Sequence, residues 1–421
     1  MKVAFLVNDL QLSGGVGVVV QHARRLSLLP GWDVTLVLVR EDEGPSWHGY
    51  EHLPDLHVRG REEAMADRFD VAVATWWETT FTLFEIPAGR HAYFVQSLED
   101  RFYLEDQAER LGAALTLDLP VAFITEARWI AQLLGSWRPD APCFVVRNGI
   151  DKEVFAPLER VTPAVAGPLR VLVEGSPTVW HKRVPEAIAA VGAMREPHEV
   201  TVVSGDRPAL AGVVADRVLG PLSHREMADL YAEHHVVCKL STVEGMAGPP
   251  LEGFHRGATC VVTPVTGHDE YVEHGYNALI TDWDDLTGTA RSLDLLARDR
   301  KLLHYLRSNA LETARAWPDW GQSSQFMAAA LTAIVRLPQP GPTVAAARLS
   351  SDLRSGLEVY QQRVSERADW HRRARRFERR LEAIRTSRGV RAALKVRHSW
   401  PVRTALRPLR PIKRRIMRQP R

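Results

Sequence analysis

The stretch that most restricts what this chain can fold into runs from Val236 to Leu279, VVCKLSTVEGMAGPPLEGFHRGATCVVTPVTGHDEYVEHGYNAL. Two β-type apolar runs, Val236 to Leu240 and Thr259 to Thr263, bracket a loop and a short helix from about Pro250. Pro249 and Pro250 fit a helix opening, where the first turn needs no N–H. Strand, helix and strand in that order predict a parallel βαβ unit, which binds ligands beyond the carboxyl ends of its strands. Ser241, Glu244 and residues 263–270 fall there. Gly245 and Gly248 let backbone approach a ligand closely, and helix N–H groups suit a diphosphate. Glu244 on the loop and Glu252 in the first helical turn, seven residues between them, can face one cleft. Amides for phosphate and carboxylates for hydroxyls suit a polyhydroxylated anion. The plainer reading, a charge pair favourable to the helix dipole, is the weaker one, because strand, GPP and strand frame the two glutamates.

At 421 residues the chain exceeds one ordinary core, so two domains and an extension are expected. With 45% hydrophobic and 25% charged residues it has the composition of a globular protein. Cys143, Cys238 and Cys260 lie far apart without metal spacing and predict buried thiols in a reducing compartment. The apolar run of MKVAFLVNDL is too short for a signal peptide, and no stretch reaches membrane-spanning length. The net charge of +3 hides a split: Arg385 to Arg421 holds thirteen Lys or Arg and no acid, which leaves 41 basic against 51 acidic residues in the rest. A basic tail on an acidic body predicts an anionic surface as partner.

Val3 to Val7 reads as a buried strand, followed by Gly14 and Gly15 before a helix with apolar spacing through Val19, Ala23 and Leu26. A dinucleotide fingerprint would need glycine at 15, 17 and 20, and position 20 is valine, so that reading fails. Amides at Gly14 and Gly15 suit a phosphate or sugar, although a plain βα turn explains the pair as well. Further strands are expected at Asp33 to Val39, Asp70 to Thr75, Ala92 to Gln96, Val121 to Thr125 and Phe144 to Arg147, making one doubly wound domain. Its strand ends carry Trp76 to Glu78, Gln96, Glu99 and Thr125 to Ala127, the polar groups that would meet an acceptor. Leu169 to Glu174 opens a second such domain, whose Gly175 loop leads into a helix with Lys182 and Arg183 near its start. Cations there oppose the helix dipole, which favours a binding role over a solvated pair. His268 and His274 lie six apart with no third ligand, and Asp282 to Asp285 lies in a polar turn, so neither predicts a metal site.

EGMAGPPLE resembles the E-x7-E signature of retaining glycosyltransferases of the GT-B fold, family 4, and the likeness continues through GATCVVTPVTGHDEYVEHGYNALI and VVRNGIDKEVFAP. It covers residues 1 to 336. The resemblance implies two Rossmann-like α/β domains facing a cleft: 1–158 for the acceptor and 159–336 for the nucleotide-sugar donor, with the last helix crossing back to the first domain. It implies that Lys182 grips the donor diphosphate and that the Gly14–Gly15 loop closes over the donor. Leu219 would lie against the base, Glu244 would hold the transferred sugar and Glu252 the ribose, with Gly245, Met246, Ala247 and Gly248 lining the site. Two positions depart from the pattern. Ser176 stands where the family has a diphosphate-binding arginine, for which Arg183 is expected to compensate, and Ala247 stands in a usual glycine's place. The implied donor is a nucleotide-diphosphate sugar, used without metal or other cofactor.

A linker is expected at 337–348, then a helix at 349–386 with stripes Leu353, Leu357, Tyr360, Val364 and Trp370, Ala374, Phe377, Leu381, Ile384, read as a dimerising coiled coil. The tail 387–421 mixes cations with Trp400, Leu406, Leu409 and Ile412, broken by prolines. Such tails accompany glycosyltransferases of cell-surface polymers, so the expected acceptor is a cell-envelope glycan or lipid carrier. The expected place is the cytoplasm, with the tail on the inner face of the membrane and no nucleic acid bound. The alternatives are a GT-B sugar-nucleotide epimerase, a phosphorylase lacking any evident cofactor lysine, and a non-catalytic scaffold.

Overall fold

The computed structural model describes residues 1–11, 13–40, 55–163, 167–338, 350–351, 353–358 and 361–362. The chain divides into two compact units, 1–357 and 358–421, and both sheets belong to the first. Most of the expected linker, the second stripe from Trp370 to Ile384 and the basic tail lie outside the described residues.

The first sheet holds β1 (Lys2–Val7), β2 (Asp33–Leu38), β3 (His57–Gly60), β4 (Phe69–Ala74), β5 (Ala88–Val95), β6 (Ala122–Thr125) and β7 (Cys143–Val145). They are all parallel in the order β3-β2-β1-β4-β5-β6-β7. The second holds β8 (Leu169–Glu174), β9 (His198–Val203), β10 (Arg217–Leu219), β11 (Val236–Lys239), β12 (Thr259–Val262) and β13 (Ala278–Ile280), parallel in the order β10-β9-β8-β11-β12-β13. Helices cover both faces of such sheets, so central strands are apolar throughout. Val3 to Val7 and Thr259 to Val262 are buried at every position. The edge strand β3, HVRG, has no buried residue and therefore no apolar run to betray it in the sequence. Strand order reverses at β1/β4 and at β8/β11, and ligand crevices open beyond the carboxyl ends at such points.

Helix Trp320–Arg336 leaves the second half of the chain and joins the first core. Its Met327, Ala330, Leu331 and Ile334 pack with Val19, Val20, Ala23 and Leu26 of helix Gly14–Ser27. The span 159–336 thus contains a helix of the other core; its apolar spacing alone could not say which sheet it covers. The crossing is anchored at the Asn148-Gly149 turn, where a side chain on Gly149 would lie 2.5 Å from the Asp319 carbonyl carbon. The preceding helical stretch breaks at Asp299, whose carboxylate caps helix Arg300–Ala316 by accepting from the Lys301 and Leu302 amides.

The coiled-coil expectation for 349–386 is corrected where its residues are described. Leu353 and Leu357 pack onto the first domain beside Trp77. The Ser350 hydroxyl donates to the Thr80 carbonyl, and Arg354 to the Thr82 hydroxyl. Gly112 makes room, since a side chain there would come within 2.8 Å of Leu357. These two apolar side chains are half-buried within the chain rather than presented as a free stripe.

Candidate functional site

The site forms where β8 and β11 part in the second sheet. Gly175 follows β8 with φ +132°, a conformation open to glycine, and a side chain there would press on Val184. The following turn carries His181 and Lys182. Lys182 Nζ donates to both carboxylate oxygens of Glu244, at 2.9 and 2.8 Å. Lys239, at the end of β11, lies 2.9 Å from Glu174 and 3.7 Å from Glu244. Glu174, Lys239, Glu244 and Lys182 thus form a ladder of alternating charge across the switch point. Burial pushes the Glu244 carboxyl up, but Lys182 and Lys239 outweigh it and hold it down at about 2. Burial would also lower Lys239, yet Glu174 and Glu244 keep it above its ordinary value. At Glu252 the balance is reversed: burial, then the charge of Glu174, outweighs Tyr231 and Lys239 and raises it to about 7.

Glu244 and Glu252 lie on either side of the opening of helix Gly248–His255. Pro249 and Pro250 have no N–H and the Leu251 amide closes the first helical turn onto Ala247, so only the Gly248 amide is left to donate from the first turn, fewer amides than the sequence reading counted on. The side-chain cation Lys182 is correspondingly more important for any anion bound here.

The loop after Glu244 meets the first domain. Trp129 Nε1 donates to the Gly245 carbonyl at 2.8 Å. A side chain on Gly245 would overlap the Gln96 carbonyl oxygen and lie 2.6 Å from Glu126. Gln96, past the end of β5, reaches the Thr75 carbonyl with its amide and faces Gly15, where a side chain would touch it at 3.4 Å. Gly15, Gln96 and Gly245 are therefore brought together, and Met246, Ala247 and Gly248 continue from that contact. Gly14 opens its helix rather than preceding it, with Ser13 as the N-cap, and among the described residues nothing beyond its chain neighbours and its own helix lies within 4 Å of where its side chain would be. Leu219 sits half-buried on the edge strand β10, its carbonyl accepting from the Ser204 amide.

Two expectations change. Arg183 does stand in a left-handed conformation suited to the family's glycine, φ 51°. Its guanidinium, however, is paired with Asp284 at 2.5 Å and Glu186 at 3.4 Å, so in this structure it is turned to those carboxylates rather than to the place left by Ser176. The Ser176 hydroxyl itself turns to Thr178 and Asp206. Glu99 is buried, accepting from the Trp77 amide and the Tyr93 hydroxyl, and fixes a turn instead of meeting an acceptor. Burial raises its carboxyl to about 8.

Four residues that carry the site escaped the sequence reading or were noted only in passing. Lys239 was signalled by a charge ending an apolar strand. Glu126 lies in the strand-end triplet TEA; burial lifts it to about 8, against bonds from Asn148 at 2.6 Å and from the Met246 amide. Glu270, its side chain 4% exposed, accepts from the Arg128 amide at 2.6 Å and pairs with Arg147 at 3.0 Å, tying second domain to first. Trp180, next to Lys182, donates to the Phe102 carbonyl at 3.1 Å across the same cleft. His268 is buried against the Thr263 carbonyl, His274 accepts from the Ile280 amide, and among the described residues no group of three or more His, Cys, Asp or Glu is arranged to hold a metal.

Residues 215–313 match the family model "Glycosyl transferases group 1". A comparison with curated proteins finds no match. Among solved structures, Anabaena HepE in complex with UDP and glucose superposes with a TM-score of 0.63 at 16% identity, covering 79% of this chain and 100% of that one. Sucrose-phosphate synthase from Thermosynechococcus elongatus gives 0.63 at 15%, covering 79% and 98%. The lipopolysaccharide outer core galactosyltransferase WaaB, in its apo form, gives 0.57 at 10%, covering 79% and 99%. The chain is thus a GT-B fold protein, two parallel Rossmann-like sheets about a cleft, that carries the glycosyl transferases group 1 signature over residues 215–313.

Proposed function

We propose that this chain is a retaining glycosyltransferase of the family 4 kind, moving a sugar from a nucleotide-diphosphate sugar to a hydroxyl of a cell-envelope glycan or lipid-linked acceptor. The observation that carries the reading is Glu244 held ionised by Lys182 at the β8/β11 switch point, with Glu252 on the helix that follows. HepE and WaaB, one holding UDP and glucose and the other a galactosyltransferase of the lipopolysaccharide outer core, support the donor and acceptor classes. In the proposed reaction the acceptor hydroxyl attacks the anomeric carbon from the face the diphosphate leaves, so configuration is kept. Its proton passes to the departing phosphate oxygen, and negative charge grows there. Lys182 and the Gly248 amide stabilise that charge, a kind of contribution worth about 3 kcal/mol for one well-placed donor. Glu244 accepts from hydroxyls of the transferred sugar and Glu252 from the ribose, while Gly15, Gln96 and Leu219 line the donor from either side. Fixed cations do the neutralising, so transfer is proposed to persist in chelator.

The basic tail supports a second element of the proposal, reversible binding to the anionic inner face of the membrane, at about 1 kcal/mol per cation near the surface. Among the described residues no helix is long and apolar enough to cross a membrane. The test of the whole reading is incubation of the full chain with UDP-, GDP- and ADP-sugars, with and without chelator, following nucleotide release and the anomeric configuration of the product. Inverted product would overturn retention. Absence of both nucleotide binding and release would overturn the enzyme.

A further inference from the structure

Lys239 has no part in the reaction just described, yet it is 3% exposed at the centre of the site. The other residues of β11, Val236, Val237 and Cys238, are apolar and fully buried, so strand packing does not call for an ammonium here. A buried cation is strongly unfavourable unless it is paired, and this one is paired with Glu174 and lies near Glu244. Glu244 therefore has two ammonium neighbours of different character. Lys182 sits on a turn with 28% of its side chain exposed, whereas Lys239 is locked in the sheet at 2%.

In the proposed function, on which this inference rests, the donor diphosphate competes with Glu244 for Lys182. We propose that Lys239 is the positioning residue that keeps Glu244 ionised and in place once a nucleoside diphosphate has drawn Lys182 away. No other group facing Glu244 can substitute. His181, from the turn after β8, is kept neutral at about 4 by burial and then by Lys182. His268, from the turn after β12, is kept at about 4 by burial. Glu126, from the end of β6, repels Glu244 when ionised, and Ser241 and Tyr271 carry no charge at neutral pH. Without Lys239 the desolvation of Glu244 is opposed in the complex only by the neutral Ser241 hydroxyl, and its carboxyl takes up a proton.

The test is calorimetric titration of UDP into the full-length protein at about pH 6.5, in two buffers of different ionisation enthalpy, which counts protons taken up on binding. Lys239→Met is expected to take up about one proton more per UDP than wild type, and Lys239→Arg to match wild type. Lys239 also lowers Glu252, so the assignment rests on adding Glu244→Gln to Lys239→Met, which should abolish the extra proton. Should thermal melting show Lys239→Met unfolded, Lys239→Gln replaces it with the same expectation. Equal proton counts for wild type and the folded variant would overturn this inference alone. Failure of wild type to bind UDP, GDP or ADP would overturn the glycosyl-transfer reading and this inference with it.

Discussion

Gly245→Ala should open the cleft without damaging either sheet. The added methyl would overlap the Gln96 carbonyl oxygen and stand 2.6 Å from Glu126 Oε1 and 2.9 Å from the Gln96 carbonyl carbon. A carbon approaches a carbonyl oxygen to about 3.3 Å, so the loop must retreat by more than about 1 Å. That retreat breaks the bond from Trp129 Nε1 to the Gly245 carbonyl and the bond from the Met246 amide to Glu126. At about 1 kcal/mol net for each, the closed arrangement loses about 2 kcal/mol, a factor of about 30 in its population over the open one. Hydrogen exchange read at the Met246 amide should therefore accelerate by about 30-fold, with donor turnover falling by a similar factor. Gly248→Ala is the control: its methyl meets only Glu252, at 3.7 Å, an ordinary contact, so exchange at Met246 should not change. Wild-type exchange and turnover in Gly245→Ala would refute the claim that this glycine sets the contact between the domains.

Glu252→Ala should weaken UDP binding and Glu244→Ala should reduce turnover more than binding, each tenfold to a hundredfold, as expected for a lost buried hydroxyl contact of about 1–3 kcal/mol, read from kcat and KM separately. Glu99, Glu126 and Glu252 have folded-state values raised from 4.5 to about 8, 8 and 7, so their contribution to stability is fully present below 4.5 and is lost as pH rises through 7 to 8. Thermal midpoints should accordingly decline above about pH 7, with Glu99→Gln flattening the slope; below about pH 6.5 the buried histidines His22, His181, His235, His255 and His268, held neutral down to about 3 to 4, act oppositely, as does Glu244 at the acid end. Arg183→Gly should leave UDP affinity within about twofold and stability unchanged or up by about 1 kcal/mol, because glycine relieves the left-handed backbone while the ion pair to the exposed Asp284 contributes little. Leu357→Ala should destabilise the first unit by about 1 kcal/mol in thermal melting, since the leucine is only half-buried, and leave the sedimentation coefficient unchanged.

Much of the fold was legible because parallel strands buried on both faces carry apolar runs, such as Val3–Val7, Val171–Val173, Val236–Cys238 and Cys260–Val262, and because glycines and prolines mark the turns between them. The edge strand β3 was not legible, having no buried face. Within the site, Glu244, Glu252 and Lys182 could be named from local spacing, since a loop and the helix that follows it bring residues eight positions apart to one side. The pairing of Lys182 with Glu244 joins residues 62 apart in sequence, and that of Lys239 with Glu174 joins residues 65 apart. No local pattern encodes such contacts; only the β8/β11 switch brings them within 3 Å. The same limit explains Arg183 and Leu357: composition shows a cation and an apolar stripe, but whether the cation meets a ligand or Asp284, and whether the stripe meets a second chain or Gly112, depends on what the folded chain places opposite. Sequence by itself determined the elements and the kind of chemistry available; the tertiary structure decided which charges neutralise each other, because burial and distance, not residue type, set the strength of an electrostatic partner.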